Sequence, residues 1–112
     1  MRGDRALRGV TEAAPIFAAL GDPVRLRLVA RLSDEGPLSI AKLTEGAHVT
    51  RQAVTKHLGV LEDAGLVRST RDGRENVFAI ERRRLEDARK HLATISKQWD
   101  HALTRLRGFV ED

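Results

Sequence analysis

A regular stripe of apolar residues near the C-terminus places the strictest limit on how this chain can fold. Between residues 85 and 109, apolar positions alternate three and four residues apart, which is the heptad spacing of a helix that packs against another helix. We therefore predict one long helix from about residue 81 to residue 108. The positions of this heptad stripe are Leu85, Ala88, Leu92, Ile95, Trp99, Ala102, Leu106 and Phe109.

The length of the chain turns this stripe into a prediction about assembly. A chain of 112 residues forms one domain of the usual size, and so small a body cannot cover the whole stripe. A helix from a second copy is the natural cover, so we predict a homodimer joined through its terminal helices. The predicted interface consists of Ile16 and Phe17 from a first short helix, and of Leu85, Leu92, Ile95, Trp99, Leu106 and Phe109.

Composition excludes several classes of protein. The chain has no cysteine, which excludes disulfides, thiolate metal sites and thiol catalysis. No stretch approaches the roughly 18 apolar residues of a membrane helix, and no signal-peptide pattern is visible, so we expect a cytoplasmic protein without a membrane partner. The net charge of +4 favours a polyanionic partner. Residues 1–10 are expected to form a flexible basic arm, and residues 11–112 a single domain.

A helix with two distinct faces is predicted between Thr50, a favourable N-cap, and Gly65, a favourable C-terminal stop. At about 100° per residue, one face is mostly apolar and consists of Ala53, Val54, His57, Leu58, Leu61 and Ala64. The other face carries the predicted DNA-binding residues Arg51, Gln52, Thr55, Lys56 and Gly59. Such side chains hydrogen-bond base edges or phosphates, and the glycine allows close approach of the backbone. An ordinary solvated surface is the alternative interpretation of this face.

Three shorter helices are predicted before Thr50. Proline or a capping side chain starts each one, and glycine ends the first and the third. The third is joined to the Thr50 helix by residues 47–49 alone, and two helices joined so tightly form the helix-turn-helix pattern. The boundary residues are Pro15 and Gly21 for the first helix, Asp22 and Pro23 for the second, and Ser39 and Gly46 for the third.

Three arginines of the second helix lead to separate predictions. Arg25 falls among the apolar positions, so we expect its stem to pack and its head to pair with a carboxylate. Arg27 and Arg31 are expected to point outward, where they either touch phosphate or lie in water.

After Gly65 the periodicity changes from helix to strand. Residues 66–70 and 76–80 are predicted as two strands, with a tight turn at Asp72-Gly73 between them. The hairpin must pack on the helices because two strands alone are marginally stable. Its tip presents Arg71 and Arg74, and we predict that this wing contacts the DNA backbone or a minor groove. The expected fold is mainly α with a small β-hairpin, in the order α-α-α-α-β-β-α.

The chain resembles the ArsR family of bacterial winged-helix regulators. The resemblance rests on three stretches, which are FAALGDPVRLRLVARL at 17–32, VTRQAVTKHLGVLEDAGLV at 49–67 and RDGR at 71–74. It implies a homodimeric winged helix-turn-helix repressor with dimer contacts from its first and last helices. Metal-sensing relatives place cysteine pairs or spaced carboxylate and histidine ligands in their helices. This chain lacks cysteine, and His91 and His101 lie ten residues apart. Its tail, with Trp99 followed by LTRL at 103–106, is similar to that of the cysteine-free members.

These observations predict a sequence-specific transcriptional regulator that binds an inverted-repeat DNA operator as a homodimer and represses its own or a neighbouring operon. No metal site, cofactor or catalytic residue is predicted; His48 lies in a turn, and His57 is expected to be hydrogen-bonded inside the fold. The alternative is a protein-interaction module on a winged-helix scaffold that does not bind DNA. An enzyme is disfavoured because the chain has neither a Gly-rich phosphate loop nor a nucleophile motif.

Overall fold

The structure, a computed structural model, describes residues 8–9 and 11–111, and the side chains among them as far as residue 108. The described residues follow the predicted order of elements, with one short additional strand. Of the predicted N-terminal arm, residues 8 and 9 are helical, and the remainder lies outside the described residues. The elements are α1 Ala14–Leu20, α2 Pro23–Glu35, β1 Leu38–Ser39, α3 Ile40–Thr44, α4 Arg51–Asp63, β2 Val67–Asp72, β3 Glu75–Ile80 and α5 Arg82–Glu111.

The predicted helix caps are confirmed. The Asp22 carboxylate accepts from the backbone N–H groups of Val24 and Arg25 at 2.9 and 3.1 Å. The hydroxyls of Ser39 and Thr50 accept in the same way at the starts of α3 and α4. Each cap satisfies a backbone donor that has no partner within its helix.

Gly65 ends α4 as predicted. It takes φ +77, and its N–H donates to the Glu62 carbonyl, while the N–H of Leu66 donates to the Leu61 carbonyl. These two bonds form a Schellman motif, which requires a left-handed residue after the helix. In the same way α3 ends at Thr44, with Glu45 as its C-cap and the predicted stop Gly46 directly after the cap. The link to α4 contains His48 at φ 57.

A third strand was missed by the sequence analysis. Leu38 and Ser39 form β1, which pairs antiparallel with β3 through Leu38↔Phe78 and Ser39↔Val77, so the sheet order is β1-β3-β2. Only two residues of β1 take part, and their partners lie about forty positions away, so no local periodicity indicates the pairing.

The hairpin turn lies one residue later than predicted. β2 and β3 pair from Val67↔Ile80 to Asp72↔Glu75, which leaves Gly73-Arg74 as the two-residue loop. Gly73 takes φ +63, as the first loop position of a type II′ turn requires. Asp72 therefore stays in the strand, and Arg74 belongs to the loop itself.

The hydrophobic core fixes the orientation of α4. Its inner residues Val54, Leu58 and Leu61 are fully buried and pack with Leu43 of α3 and Leu66 before β2. Burying each leucine contributes about 1.5–3 kcal/mol to the free energy of folding. Rotating α4 about its axis would expose these side chains, so the opposite face must point outward.

Arg25 and Arg31 are placed differently from their predictions. Arg25 donates from Nε to the Ala19 carbonyl at 2.6 Å, so its head binds the C-terminal end of α1 rather than a carboxylate. Arg31 does not point into solvent, because it donates to the carbonyl of Leu43 at 3.1 Å as well as to Glu35 at 3.0 Å. The last carbonyl groups of a helix have no hydrogen-bond donor within that helix. Two arginines of α2 supply donors to these carbonyl groups at the ends of α1 and α3.

The last helix, α5, contains 30 residues and begins directly after β3. Its first stripe residues, Leu85 and Ala88, pack against the core. The later ones, Leu92, Ile95, Trp99 and Leu106, are exposed. Phe109 lies beyond the described side chains. None of the described helices has an apolar segment of the length needed to cross a membrane.

Candidate nucleic-acid interface

The outer face of α4 carries the side chains that the sequence analysis singled out. Arg51, Gln52, Thr55 and Lys56 are all exposed. Gly59 is half-buried, and a Cβ added there would meet no atom of the chain within 4 Å. The glycine therefore leaves the helix backbone open at the end of this face.

These side chains are free to bind another molecule. Within the described residues, Arg51, Gln52 and Lys56 make no side-chain hydrogen bond or ion pair with the chain. The Thr55 hydroxyl donates to the Arg51 carbonyl at 2.9 Å, which leaves its oxygen able to accept and its methyl group exposed. The face thus offers guanidinium, amide and ammonium donors, which is the set that reads base edges and phosphates.

The first carboxylates on α4 come in its last turn. Glu62 is held there by the Ser69 hydroxyl of β2, which donates to its Oε2 at 2.7 Å. This bond joins the end of α4 to the hairpin. The electrostatic character of the outer face is therefore positive over the first two turns of α4.

The wing brings one of its two predicted arginines next to α4. Arg74 and Arg51 line the same cleft of about 240 Å³. Arg71 is exposed outside this cleft, and its Nε lies 3.5 Å from the carbonyl oxygen of Gly73. The cleft is completed by Ser39, Ile40, Ala41, Glu75 and Asn76. Sequence reasoning missed these five residues, since the packing of α3 on α4 and the β1–β3 pairing together bring them to Arg51.

The inner side of α4 is anchored by a polar contact to α2. His57 is half-buried, and its Nδ1 lies 3.3 Å from Nη1 of Arg25 and 3.8 Å from Oδ2 of Asp22. This confirms the prediction that His57 is hydrogen-bonded inside the fold. The backbone N–H of Arg25 is the main cause that holds the pKa of Asp22 below its ordinary value, with a further contribution from His57. The Asp22 carboxylate therefore stays charged and keeps α2 capped beside α4.

The described residues contain no group of three or more histidine, cysteine, aspartate or glutamate side chains that could hold a metal ion. His48 and His101 are exposed, while His91 is half-buried near the N-terminal segment, where a Cβ on Gly9 would lie 2.9 Å from its Cε1.

The chain is similar to known regulators along most of its length. A family of helix-turn-helix domains matches residues 20–70. The uncharacterized HTH-type transcriptional regulator YuzN of Bacillus subtilis is 45% identical over 69 residues, which are 56% of this chain and 75% of the relative. The crystal structure of the transcriptional repressor BigR from Xylella fastidiosa is 27% identical with a TM-score of 0.66, covering 86% of this chain and 94% of that one.

A solved structure named as an ArsR-like transcriptional regulator from Rhodococcus sp. RHA1 extends the likeness to the whole fold. It is 32% identical, with a TM-score of 0.71, and covers 88% of this chain and 92% of the other. These relatives are named as transcriptional regulators and not as enzymes, in agreement with the prediction. This chain belongs to the ArsR family of winged helix-turn-helix transcriptional regulators.

Proposed function

We propose that the protein is a dimeric repressor that binds an inverted-repeat operator, with one α4 in the major groove of each half-site. The observation that carries this proposal is the outer face of α4. Arg51, Gln52 and Lys56 are exposed there without partners among the described residues, and within α4 no carboxylate precedes Glu62. A solvated surface helix has no need of such a composition, whereas a recognition helix does.

The part of α5 from Leu92 onward, called its second half below, supports the dimer. Leu92, Trp99 and Leu106 are each more than half exposed on a single chain. A two-fold partner would cover this row and place the two copies of α4 about 34–36 Å apart, which is one turn of DNA. Ile16 is already buried in its own chain and Phe17 is half-buried, so α5 supplies most of the proposed interface.

Repression is the outcome that this geometry favours. A dimer seated on an operator would block the promoter from polymerase. The Xylella relative is itself named a repressor. We propose that the controlled genes are the protein's own operon or a neighbouring one, and that no cysteine chemistry relieves repression, since the chain has none.

Titration against the protein's own upstream DNA tests the proposal. Replacing both Arg51 and Lys56 by alanine should weaken binding by at least about tenfold, because each good contact contributes about 1–3 kcal/mol. Gln52→Ala and Thr55→Ala should mainly reduce the preference for the operator over random duplex. The melting temperature of each variant should stay near that of the wild type, because all four side chains are exposed.

A matched control removes the same charge elsewhere. Lys90 and Lys97 are exposed on α5, on the side away from the heptad stripe. The Lys90→Ala, Lys97→Ala double variant should bind the operator nearly as tightly as the wild type. Equal losses of operator affinity in the two double variants would mean that net charge alone drives DNA binding. Wild type that binds neither operator nor random duplex would favour the protein-interaction module instead.

A further inference from the structure

We propose that Arg51 and Arg74 close on one DNA backbone phosphate in the cleft between α4 and the wing. This inference rests on the proposed function and refines it. It assigns Arg51 to positioning the protein on the backbone, and leaves base reading to Gln52, Thr55 and Lys56. The cleft then becomes the point at which helix and wing grip the same strand.

The cleft is assembled from three parts of the chain that are distant in sequence. Ser39 of β1, Arg51 at the first position of α4, and Arg74 in the hairpin loop all line it. The pairing of Ser39 with Val77 holds β1 against β3, so the wall that carries Asn76 is fixed relative to the start of α4.

The lining is rich in hydrogen-bond donors. Within the described residues, the side chains of Arg51, Arg74 and Asn76 have no hydrogen-bond partner in the chain. The Ser39 hydroxyl accepts from the N–H of Lys42 at 3.2 Å, which leaves its own hydrogen available for donation into the cleft. Two guanidinium groups, an amide and a hydroxyl can therefore all donate toward one acceptor.

A phosphate fits this set better than a base edge does. Guanine offers two acceptors on its major-groove edge, which a single arginine satisfies. A phosphodiester shares one negative charge between two terminal oxygens, so each oxygen can accept from one guanidinium group. Two like charges lining one cleft repel each other until an anion comes between them. Wing residues also meet the DNA backbone more readily than the base edges that a helix reads in the major groove.

Glu75 is the one carboxylate among the residues that line the cleft. It is exposed at the start of β3, where it partly offsets the two arginines while the cleft is empty. A bound phosphate would be repelled by it. The clamp therefore predicts a substitution that strengthens DNA binding, namely Glu75→Gln, with a gain of about twofold to fivefold at low salt.

The number of counterions released on binding provides the main test. The slope of log K against log salt changes by about one for each phosphate contact that is lost. Either arginine alone still neutralises the shared phosphate, so Arg51→Ala and Arg74→Ala should each flatten the slope by well under one per half-site, and the double variant by about one. The control variant Arg71→Ala should by itself flatten the slope by about one, since Arg71 lies outside the cleft and would pair with a phosphate of its own.

Conservative variants separate phosphate binding from base reading. Arg51→Lys should keep most of the affinity, because lysine serves a phosphate as a point charge but cannot reproduce bidentate contact with guanine. Asp72 is the partner of Glu75 across the hairpin and lies outside the cleft. The gain in DNA affinity from Glu75→Gln should therefore exceed the gain from Asp72→Asn. Melting curves of all variants confirm that each one is folded.

Three results would overturn the clamp. A slope change of about two in the Arg51→Ala, Arg74→Ala variant would place the residues on separate phosphates. Arg51→Ala with an unchanged slope and a loss confined to the operator would make Arg51 a base reader. If Glu75→Gln weakens DNA binding, the cleft does not hold a phosphate. In each case the wild type would still bind its operator, so the proposed function would survive; wild type without any DNA binding would overturn both.

Discussion

The two halves of α5 have the same apolar spacing and opposite surroundings. In the first half, Ala88 is 4% exposed and Leu85 packs against the core. In the second half, Trp99 is 64% and Leu106 is 62% exposed. A single helix thus passes from the core of its own domain into solvent without a change in its heptad pattern.

The difference teaches that a heptad pattern specifies a face but not the object that covers it. In the first half α1 and the N-terminal segment supply the cover, and small residues allow close approach: Ala88 lies on the stripe, and a side chain on Gly9 would collide with His91. In the second half the stripe residues other than Ala102 are large. Leu103, which lies beside the stripe and is also exposed, widens the apolar surface beyond the predicted row.

The largest expected effect comes from a charge in the second half. Trp99→Asp would bury an unpaired carboxylate in the proposed dimer, which costs about 3–5 kcal/mol and raises the dimer dissociation constant by at least about 100-fold. Because Trp99 is exposed on the single chain, the fold of each protomer should survive. Sedimentation should show monomers at concentrations where the wild type is dimeric, with operator affinity lost in parallel.

Lys97→Asp provides the control for this prediction, since it places the same carboxylate on the opposite side of α5. It should leave the dimer intact. If both variants sediment as dimers, or if the wild type is a monomer that binds one half-site tightly, the second half of the stripe has no role in assembly.

A pair of smaller truncations should separate the two halves by concentration dependence. Leu85→Ala removes packing from the domain core, so it should lower the free energy of unfolding by about 1–2 kcal/mol, less than for a fully buried leucine. Leu92→Ala should lower the melting temperature only through the dimer. The decrease for Leu92→Ala should therefore vanish on dilution and grow with protein concentration to a plateau at which both proteins are dimeric, whereas the decrease for Leu85→Ala should be present at every concentration.

Differential scanning calorimetry over a hundredfold range of concentration measures both variants. If the melting temperatures of the two variants change with concentration in the same way, the division of α5 is contradicted. Both leucines would then belong to one cooperative core. A wild-type melting temperature that does not depend on concentration would weigh against a dimer coupled to folding.

The parts of the fold that were predictable from the sequence are those specified by neighbouring residues. Thr50 and Gly65 bound α4 because a cap and a left-handed glycine act within one helical turn. The two faces of α4 followed from the 3.6-residue period, and its inner face is buried as predicted. The DNA-contact and dimer residues remain predictions, since they concern molecules outside the chain.

The parts that were missed depend on distant partners. β1 exists because Leu38 meets Phe78, and the arginine caps exist because α2 crosses the ends of α1 and α3. From its neighbours in the sequence alone, a charged side chain on a helix is expected to face water or to pair with a carboxylate. Its contact with the end of a distant helix therefore cannot be predicted from the sequence. The cleft between α4 and the wing was missed for the same reason, as its walls come together only in the folded chain.

The smallest expected effect concerns an ion pair in the first half of α5. Arg89 donates from Nε to both carboxylate oxygens of Glu86, at 3.0 and 3.1 Å, and this hydrogen bond is the main cause that holds the pKa of Glu86 below its ordinary value of 4.5. A carboxylate whose pKa is lowered on folding stabilises the protein above its unfolded pKa, and this stabilisation is lost as pH falls through the folded pKa.

Glu86→Gln should therefore reduce stability slightly at neutral pH, and the difference from the wild type should vanish as pH falls below 4.5. The effect should be near the limit of detection because both side chains are about half exposed or more. Urea unfolding at several pH values measures it, with Asp87→Asn as the control for removing a charge from the same turn. Since Glu86 lies in the half of α5 that packs on its own domain, the difference should not depend on protein concentration. A difference that disappears on dilution would place this turn within the dimer interface and shift the boundary between the two halves toward β3.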